Sequence, residues 1–443
     1  MKLAIPLPAI LSAAVLLLRP TPASAQEAPL DPARQRVVLE RLIGLVSDRY
    51  VFPEKAVAVA AALRGRESAG AYAPLRKPDD FLAAVNRDMQ DAAGDRHLRL
   101  MRNPRIVARL RAEAGGEKEV PPEFLAMLRR ENFRLRKAES LDGNVGYLKL
   151  DAFVELRFVR DALLGALDFL HASSALVLDL TDNGGGDSET ADLLLSCFLP
   201  EGTRTTESWS RETGKTTVSA VVRPPGVKPM LDTPLTVVVG ERTASAAEAV
   251  AYTLQQARRA VVVGSRTKGM ANPGRLFVVD DSLYAMVPTI RARNVVSGTS
   301  WEGVGVAPDV PLPPDKALAG AVAEALKGLA AREADPKERF RLLFLWRDYA
   351  AAVNPPSPPD GLLDACVGAY EGGQRVVRRD GSLWFEKGEV RRRLSYVGDL
   401  TFAVEGRKDY RIRFPFEGGR VLRCDVLWFD DTSDSYARAR AEG

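Results

Sequence analysis

Short runs of β-branched and aliphatic side chains recur through the middle of this chain, and a turn and a helical pattern follow nearly every one. Val145 to Leu150 precedes an amphipathic stretch from Val159 to Leu170, and Ala175 to Leu180 precedes a glycine triplet and the helical run Thr190 to Phe198. Leu235 to Val239 is broken by Gly240 and leads into an alanine-rich helical segment; Val261 to Val263 is one more short strand. Strands that alternate with helices cannot close as a simple meander, so the pattern predicts an α/β core with substantial parallel pairing.

The turn after Leu235–Val239 carries Thr243-Ala244-Ser245-Ala246-Ala247-Glu248. It places Ser245 between a strand and a helix, where free backbone N–H groups and the positive end of the helix dipole would face its hydroxyl. Such a serine is either a plain N-cap or a nucleophile beside a ready oxyanion site. The glycine triplet Gly184-Gly185-Gly186 is a second strand-to-helix turn able to expose N–H groups. It is not a P-loop, since no Gly-Lys-Ser/Thr follows, and it lacks the spacing of a dinucleotide fingerprint.

Two further stretches hold chemistry-bearing side chains. Asp95-Arg96-His97-Leu98-Arg99-Leu100 alternates like a short strand, with Leu98 and Leu100 on one side and His97 and Arg99 on the other. As a lone residue His97 reads more readily as a surface or hydrogen-bonded histidine than as one facing a cleft. The loop from Gly298 to Asp309 is glycine-rich around Trp301 and Glu302, and Glu302 is open to a structural or a functional role. His171, the chain's other histidine, reads as structural.

A formal charge of +4 set against 62 basic and 58 acidic side chains gives no reason to expect a nucleic-acid partner. Residues 1–25 have the form of a secretory signal, with Lys2, an apolar run from Ala9 to Leu18, and Ala23-Ser24-Ala25 as the cleavage site. The mature protein is thus expected to be exported, to the periplasm or the medium, without stable membrane insertion. Cys197, Cys366 and Cys424 make no disulfide framework, although an oxidising compartment would permit a Cys366–Cys424 bridge; Cys197 falls in a helical run and reads as buried and inert. No Cys/His cluster has metal-ligand spacing, and neither metal nor cofactor is expected.

The full division predicted is a signal over 1–25, a helical N-terminal domain over 27–100, a helical connector over 101–135 and an α/β core over 136–330. A helix and proline-rich linker over 331–359 and a small β-rich barrel or sandwich over 360–443 complete it. Asp31 followed by Pro32 marks the first helix start, and Gly94 the end of the third.

Three motifs in this order, Leu178 to Gly186, Thr243 to Glu248 and Trp301 to Asp309, resemble the tail-specific (C-terminal processing) serine peptidases of family S41. The leader with Tyr50-Val51-Phe52-Pro53-Glu54-Lys55 and Asp95-Arg96-His97-Leu98 is similar to the branch that includes interphotoreceptor retinoid-binding protein modules and is related to the tricorn protease core. The resemblance spans roughly residues 35–330 and implies a spiral α/β fold like that of crotonase and ClpP, with Ser245 as nucleophile. Lysine-dependent members carry G-E-K-T-F-G-K-G; here the matching segment is Gly264 to Ala271, and Met270, which cannot accept a proton, stands at the basic lysine. Lys268 is two positions earlier.

The tricorn-like pattern instead implies His97 as base and Glu302 as the carboxylate that polarises the site, directly or through a hydroxyl, although Arg96 stands where that pattern has a serine. The oxyanion donors it implies are the N–H groups of Ala246 and of Gly185 or Gly186. No PDZ module is evident in the sequence. The expected function is an exported serine endopeptidase acting on polypeptides; the alternative is a non-catalytic module binding an apolar ligand or peptide on the same fold. Self-association stays open.

Overall fold

The computed structural model describes residues 30–114 and 122–439. The signal pattern of residues 1–25 and the Gly115-Gly116 break lie outside the described residues.

At the centre is a six-stranded sheet ordered Val310–Pro311, Ala260–Gly264, Leu235–Val239, Ala175–Asp179, Val145–Leu150 and Leu135–Leu141. The first five strands are mutually parallel, and only the edge strand Leu135–Leu141 runs antiparallel. Alternate side chains supply two cores. Val145, Tyr147, Val177, Val238 and Val263 pack beneath Ala321, Val322 and Leu326 of helix Pro314–Arg332. Leu148, Leu176, Leu178, Val237 and Val239 meet the apolar stripes of helices Leu156–Leu170, Ser188–Phe198 and Ala246–Gln256 on the other face. Covering on both faces is why these strands read as near-continuous apolar runs.

The N-terminal helices are Pro32–Arg49, Pro53–Ser68 and Pro78–Ala93, each starting on a proline that has no N–H to leave unpaired. Asp31 caps the first by accepting from Arg34 N at 2.8 Å, and Gly94 ends the third at φ 62°. They share one core with Leu98, Leu100, Leu283, Ala285 and Val287, because strand Arg99–Arg102 pairs with Leu283–Pro288 in a three-stranded sheet completed by Gly274–Val278. This contact docks the helices beside the α/β core. The hairpin Arg204–Ser210 and Thr216–Ala220, extended by Ile290–Asn294, was not anticipated: its strands carry few apolar residues, and Thr216–Ala220 is exposed throughout.

Of the two C-terminal options, barrel or sandwich, the structure takes the first. Eight antiparallel strands run in order from Gly368–Tyr370 to Ser433–Ala437, and a Tyr370–Arg438 bridge brings the last edge back to the first. Phe385, Phe402, Ile412 and Phe414 fill it. The buried Arg411 guanidinium joins the barrel to helix Pro336–Val353, lying 3.6 Å from the Phe344 ring centroid and 2.9 Å from Asp348. Cys366 and Cys424 lie in the barrel core as free thiols, so the bridge that the compartment would permit is not formed, and Cys197 is also free and buried.

Candidate active site

Three turns at the carboxyl ends of parallel strands converge. Gly240 to Ser245 follows strand Leu235–Val239, Leu180 to Asp187 follows Ala175–Asp179, and Ser265 to Asn272 follows Ala260–Gly264. This end of an open parallel sheet is where α/β folds place their sites, because helix N-termini and loop amides collect there.

Ser245 precedes helix Ala246–Gln256 with φ 55° and ψ −123°, a conformation that L-residues rarely hold. The surroundings over-determine it. Thr243 Oγ1 donates to Leu180 O and accepts from Gly240 N, while Ala244 N donates to Asn183 O at 3.0 Å. Glu248, fully buried, accepts from Ser245 N at 2.8 Å, Gly269 N at 2.6 Å, Met270 N at 2.9 Å and the Thr267 hydroxyl. One carboxylate therefore ties the serine turn to the Thr267–Met270 segment. Burial raises the Glu248 carboxyl above its usual range, and the four donors pull back against it.

Gly185 is pressed against this turn. A Cβ there would come within 2.7 Å of Ala244 O, 2.8 Å of Ser245 Cβ and 2.9 Å of Ala246 N. Its N–H is already donated to Asn183 Oδ1 at 2.9 Å, so among the expected oxyanion donors Gly185 contributes shape and not a hydrogen bond. Gly186, at φ 133° against Phe153 O, and Ala246 are the two whose N–H groups donate no hydrogen bond among the described residues.

His97 is placed otherwise than the alternation predicted. The strand begins at Arg99, and His97 lies in the turn before it, only 6% exposed. The docking of the N-terminal helices on the sheet covers both sides of the segment, which a two-sided strand reading could not foresee. Asp95, 1% exposed, holds the turn: Oδ1 accepts from His97 N at 2.8 Å and Oδ2 from Tyr50 OH at 3.0 Å. Tyr50 and Asp95 both belong to stretches visible in the sequence, yet nothing there assigned them this task.

Glu302 reaches the same place from the Trp301 loop. Its Oε2 accepts from Ala271 N at 2.6 Å and Asn272 N at 3.0 Å, and its Oε1 is buried without a partner among the described residues. Trp301 stacks at 5.1 Å on Tyr252 of helix Ala246–Gln256, and Gly305 backs onto Thr267, so the loop is locked to the serine's own helix. One ligand atom each of Asp95, His97 and Glu302 lies within 4.8 Å of the others. The sequence contained no metal-spaced cluster; the fold assembles one from distant segments.

Electrostatics follow from this burial. Desolvation, with Lys268 and Arg99 nearby, holds the His97 imidazolium pKa down to about 4. Desolvation, with the Asp95 charge adjacent, pushes Glu302 up to about 7, and Asp95 itself is raised by burial. His97 Nδ1 has no hydrogen-bond partner, and no hydrogen bond joins His97 to Ser245 among the described residues. Lys268 is held below its usual range by burial and by Arg99 and Arg96, and its side chain makes no hydrogen bond to Ser245 among the described residues. Met270, at the dyad-lysine position, is buried.

Residues 144–312 match the model of peptidase family S41. The matched segment takes in most of the α/β core, from its second strand to its last. The S41 segment contains Ser245 and Glu302, whereas Asp95 and His97 lie N-terminal to it. The chain is 30% identical over 254 residues to carboxyl-terminal-processing peptidase 1, chloroplastic, of Arabidopsis thaliana, covering 55% of this chain and 50% of that protein. It is 29% identical over 245 residues to the carboxyl-terminal-processing protease of Synechocystis sp., covering 54% and 55%. It thus spans about half the length of these curated relatives. Among solved structures, the photosystem II D1 C-terminal processing protease aligns with a TM-score of 0.40 at 18% identity, over 63% of this chain and 93% of that one. The tricorn protease aligns at 0.40 and 14% identity, over 72% and 37%.

Proposed function

We propose that this chain is an exported serine endopeptidase that hydrolyses polypeptides through an acyl-enzyme on Ser245. The observation that carries the reading is the Ser245 backbone, φ 55° and ψ −123°, held at a helix N-terminus against Gly185. Ser245 does cap its helix in a capping box with Glu248, but capping alone needs no such strain, which costs on the order of 1–3 kcal/mol. A nucleophile on a sharp strand-to-helix turn uses it to lift its hydroxyl toward substrate while the helix amides stay behind it.

In this mechanism Ser245 Oγ attacks the scissile carbonyl carbon as His97 takes the hydroxyl proton, and the negative oxygen is held by the N–H groups of Ala246 and Gly186. The tetrahedral intermediate collapses, the C–N bond breaks, and His97 returns the proton to the departing amine. Water then repeats the sequence on the acyl ester and frees Ser245. Glu302 favours the imidazolium that forms transiently, a task suited to a carboxylate whose other oxygen is fixed by Ala271 and Asn272. No hydrogen bond joins His97 to Ser245 in the free chain among the described residues, so the mechanism requires one to form when substrate binds. The export assignment rests on the pattern in residues 1–25.

The test is labelling with a serine-directed fluorophosphonate, mapped by peptide mass spectrometry. The expected adduct is on Ser245 and is absent in Ser245→Ala and slowed in His97→Ala. A folded protein left unlabelled at Ser245 would return the site to the binding reading.

A further inference from the structure

We propose that Asp95, His97 and Glu302 form a binding site for a divalent transition-metal ion of the zinc class, made of one imidazole nitrogen and two carboxylate oxygens. The juxtaposition is the first argument, since one ligand atom from each lies within 4.8 Å of the others. The ligand separation in a tetrahedral zinc site with bonds of about 2.0–2.2 Å is roughly 3.4 Å. The approach needed is therefore of the order of a rotamer adjustment.

The second argument is independent of the cluster. Among the described residues, His97, 6% exposed, has its Nδ1 unpartnered, and Glu302 Oε1 is buried and unpartnered as well. A polar atom taken out of water without a hydrogen-bond partner costs free energy. Here a nitrogen and an oxygen in that state belong to the same cluster.

Third, the ligands already carry the outer hydrogen bonds that orient a metal site. Glu302 Oε2 is fixed by the Ala271 and Asn272 amides, and Asp95 by Tyr50 OH and His97 N. Each carboxylate group keeps lone-pair capacity beyond these bonds. Mixed imidazole and carboxylate donors suit zinc and its neighbours rather than calcium or magnesium, which favour all-oxygen shells. Lys268 and Arg99 near His97 oppose a cation, so the site is exchangeable and not a structural zinc.

One consequence rests on the peptidase reading, while binding itself does not. A metal on His97 occupies the lone pair that would take the Ser245 proton, so the ion would be a reversible inhibitor that chelator removes.

The experiment uses the full chain stripped with chelator, and exploits its having only two histidines, His97 and the exposed His171. With 13C-labelled histidine, the resonances are assigned through His171→Ala, whose exposed site leaves the fold alone, and zinc chloride is titrated into the wild type. The expected result is that the His97 signal moves to saturation at one equivalent while that of His171 stays, and that Glu302→Gln weakens binding at least tenfold. Movement of His171 alone, or of neither signal, overturns the site. Where peptidase activity is measurable, saturation at His97 with activity unchanged leaves the metal site standing and removes His97 as the base. Absence of activity in metal-free protein, with His97 still titrating with zinc, counts against the peptidase reading alone.

Discussion

Replacing Glu248 by Gln isolates the carboxylate that organises the serine turn. Its Oε1 serves Thr267 Oγ1 and Gly269 N, and its Oε2 serves Ser245 N and Met270 N. A glutamine keeps one accepting oxygen and turns an NH2 toward the other pair. With the amide at the Oε2 position, two buried N–H groups face a donor. In the reverse orientation Gly269 N does, and the Thr267 hydroxyl, which already accepts from Val306 N, must turn. At least one buried N–H is therefore orphaned, at about 1–3 kcal/mol, and the surviving bonds lose about 1 kcal/mol each when the charge goes. Against this stands relief of desolvation, which raises the Glu248 carboxyl in the folded protein. The net expectation is about 2–4 kcal/mol lost, with Glu248→Ala worse because all four donors are left bare. Urea unfolding gives the global value, and hydrogen exchange of the Ser265 to Asn272 amides tests whether that segment is freed from the serine turn. A Glu248→Gln protein within 0.5 kcal/mol of wild type, with those amides equally protected, would refute the argument.

Further outcomes follow from the same geometry. Ser245→Gly removes the Cβ that makes φ 55° strained, so it is expected to stabilise the fold by about 1 kcal/mol in thermal unfolding while abolishing activity. Gly185→Ala drives a Cβ into Ala244 O and Ala246 N, and should lower turnover by about 10²-fold or more by displacing an oxyanion donor, with KM little changed. His97 is held near 4 against its usual 6.5, so the folded state disfavours its protonation. Its contribution to stability is therefore intact above about 6.5 and declines as pH falls toward 4, by about 3 kcal/mol in total. Comparing the pH dependence of unfolding midpoints for wild type and His97→Gln checks this, and a variant with the same acid slope would contradict it.

The regular elements were legible because their signals are local. Asp31 followed by Pro32 at the first helix, Gly94 after the third helix and the apolar runs of the parallel strands each state their own structure. The hairpin Arg204–Ala220 was not legible, because an exposed polar ribbon has no apolar period to read. At the site, the turn around Ser245 stood out in sequence, but what stabilises it did not. Glu248 was given no role of its own in the motif, and it is the acceptor for amides some twenty positions on. Burial of His97 and its meeting with Asp95 and Glu302 depend on helices docking against a sheet whose strands are separated in sequence by the whole α/β core. Alternation within six residues carries no information about that.

The most direct test of the central claim is a mass-spectrometric digest of a mixed-length peptide library with purified wild type, Ser245→Ala and His97→Ala. Cleavage by wild type, lost in both variants while their folds persist, is the predicted result. A library left uncut by wild type across pH and after chelation, or cut equally well by Ser245→Ala, would contradict it.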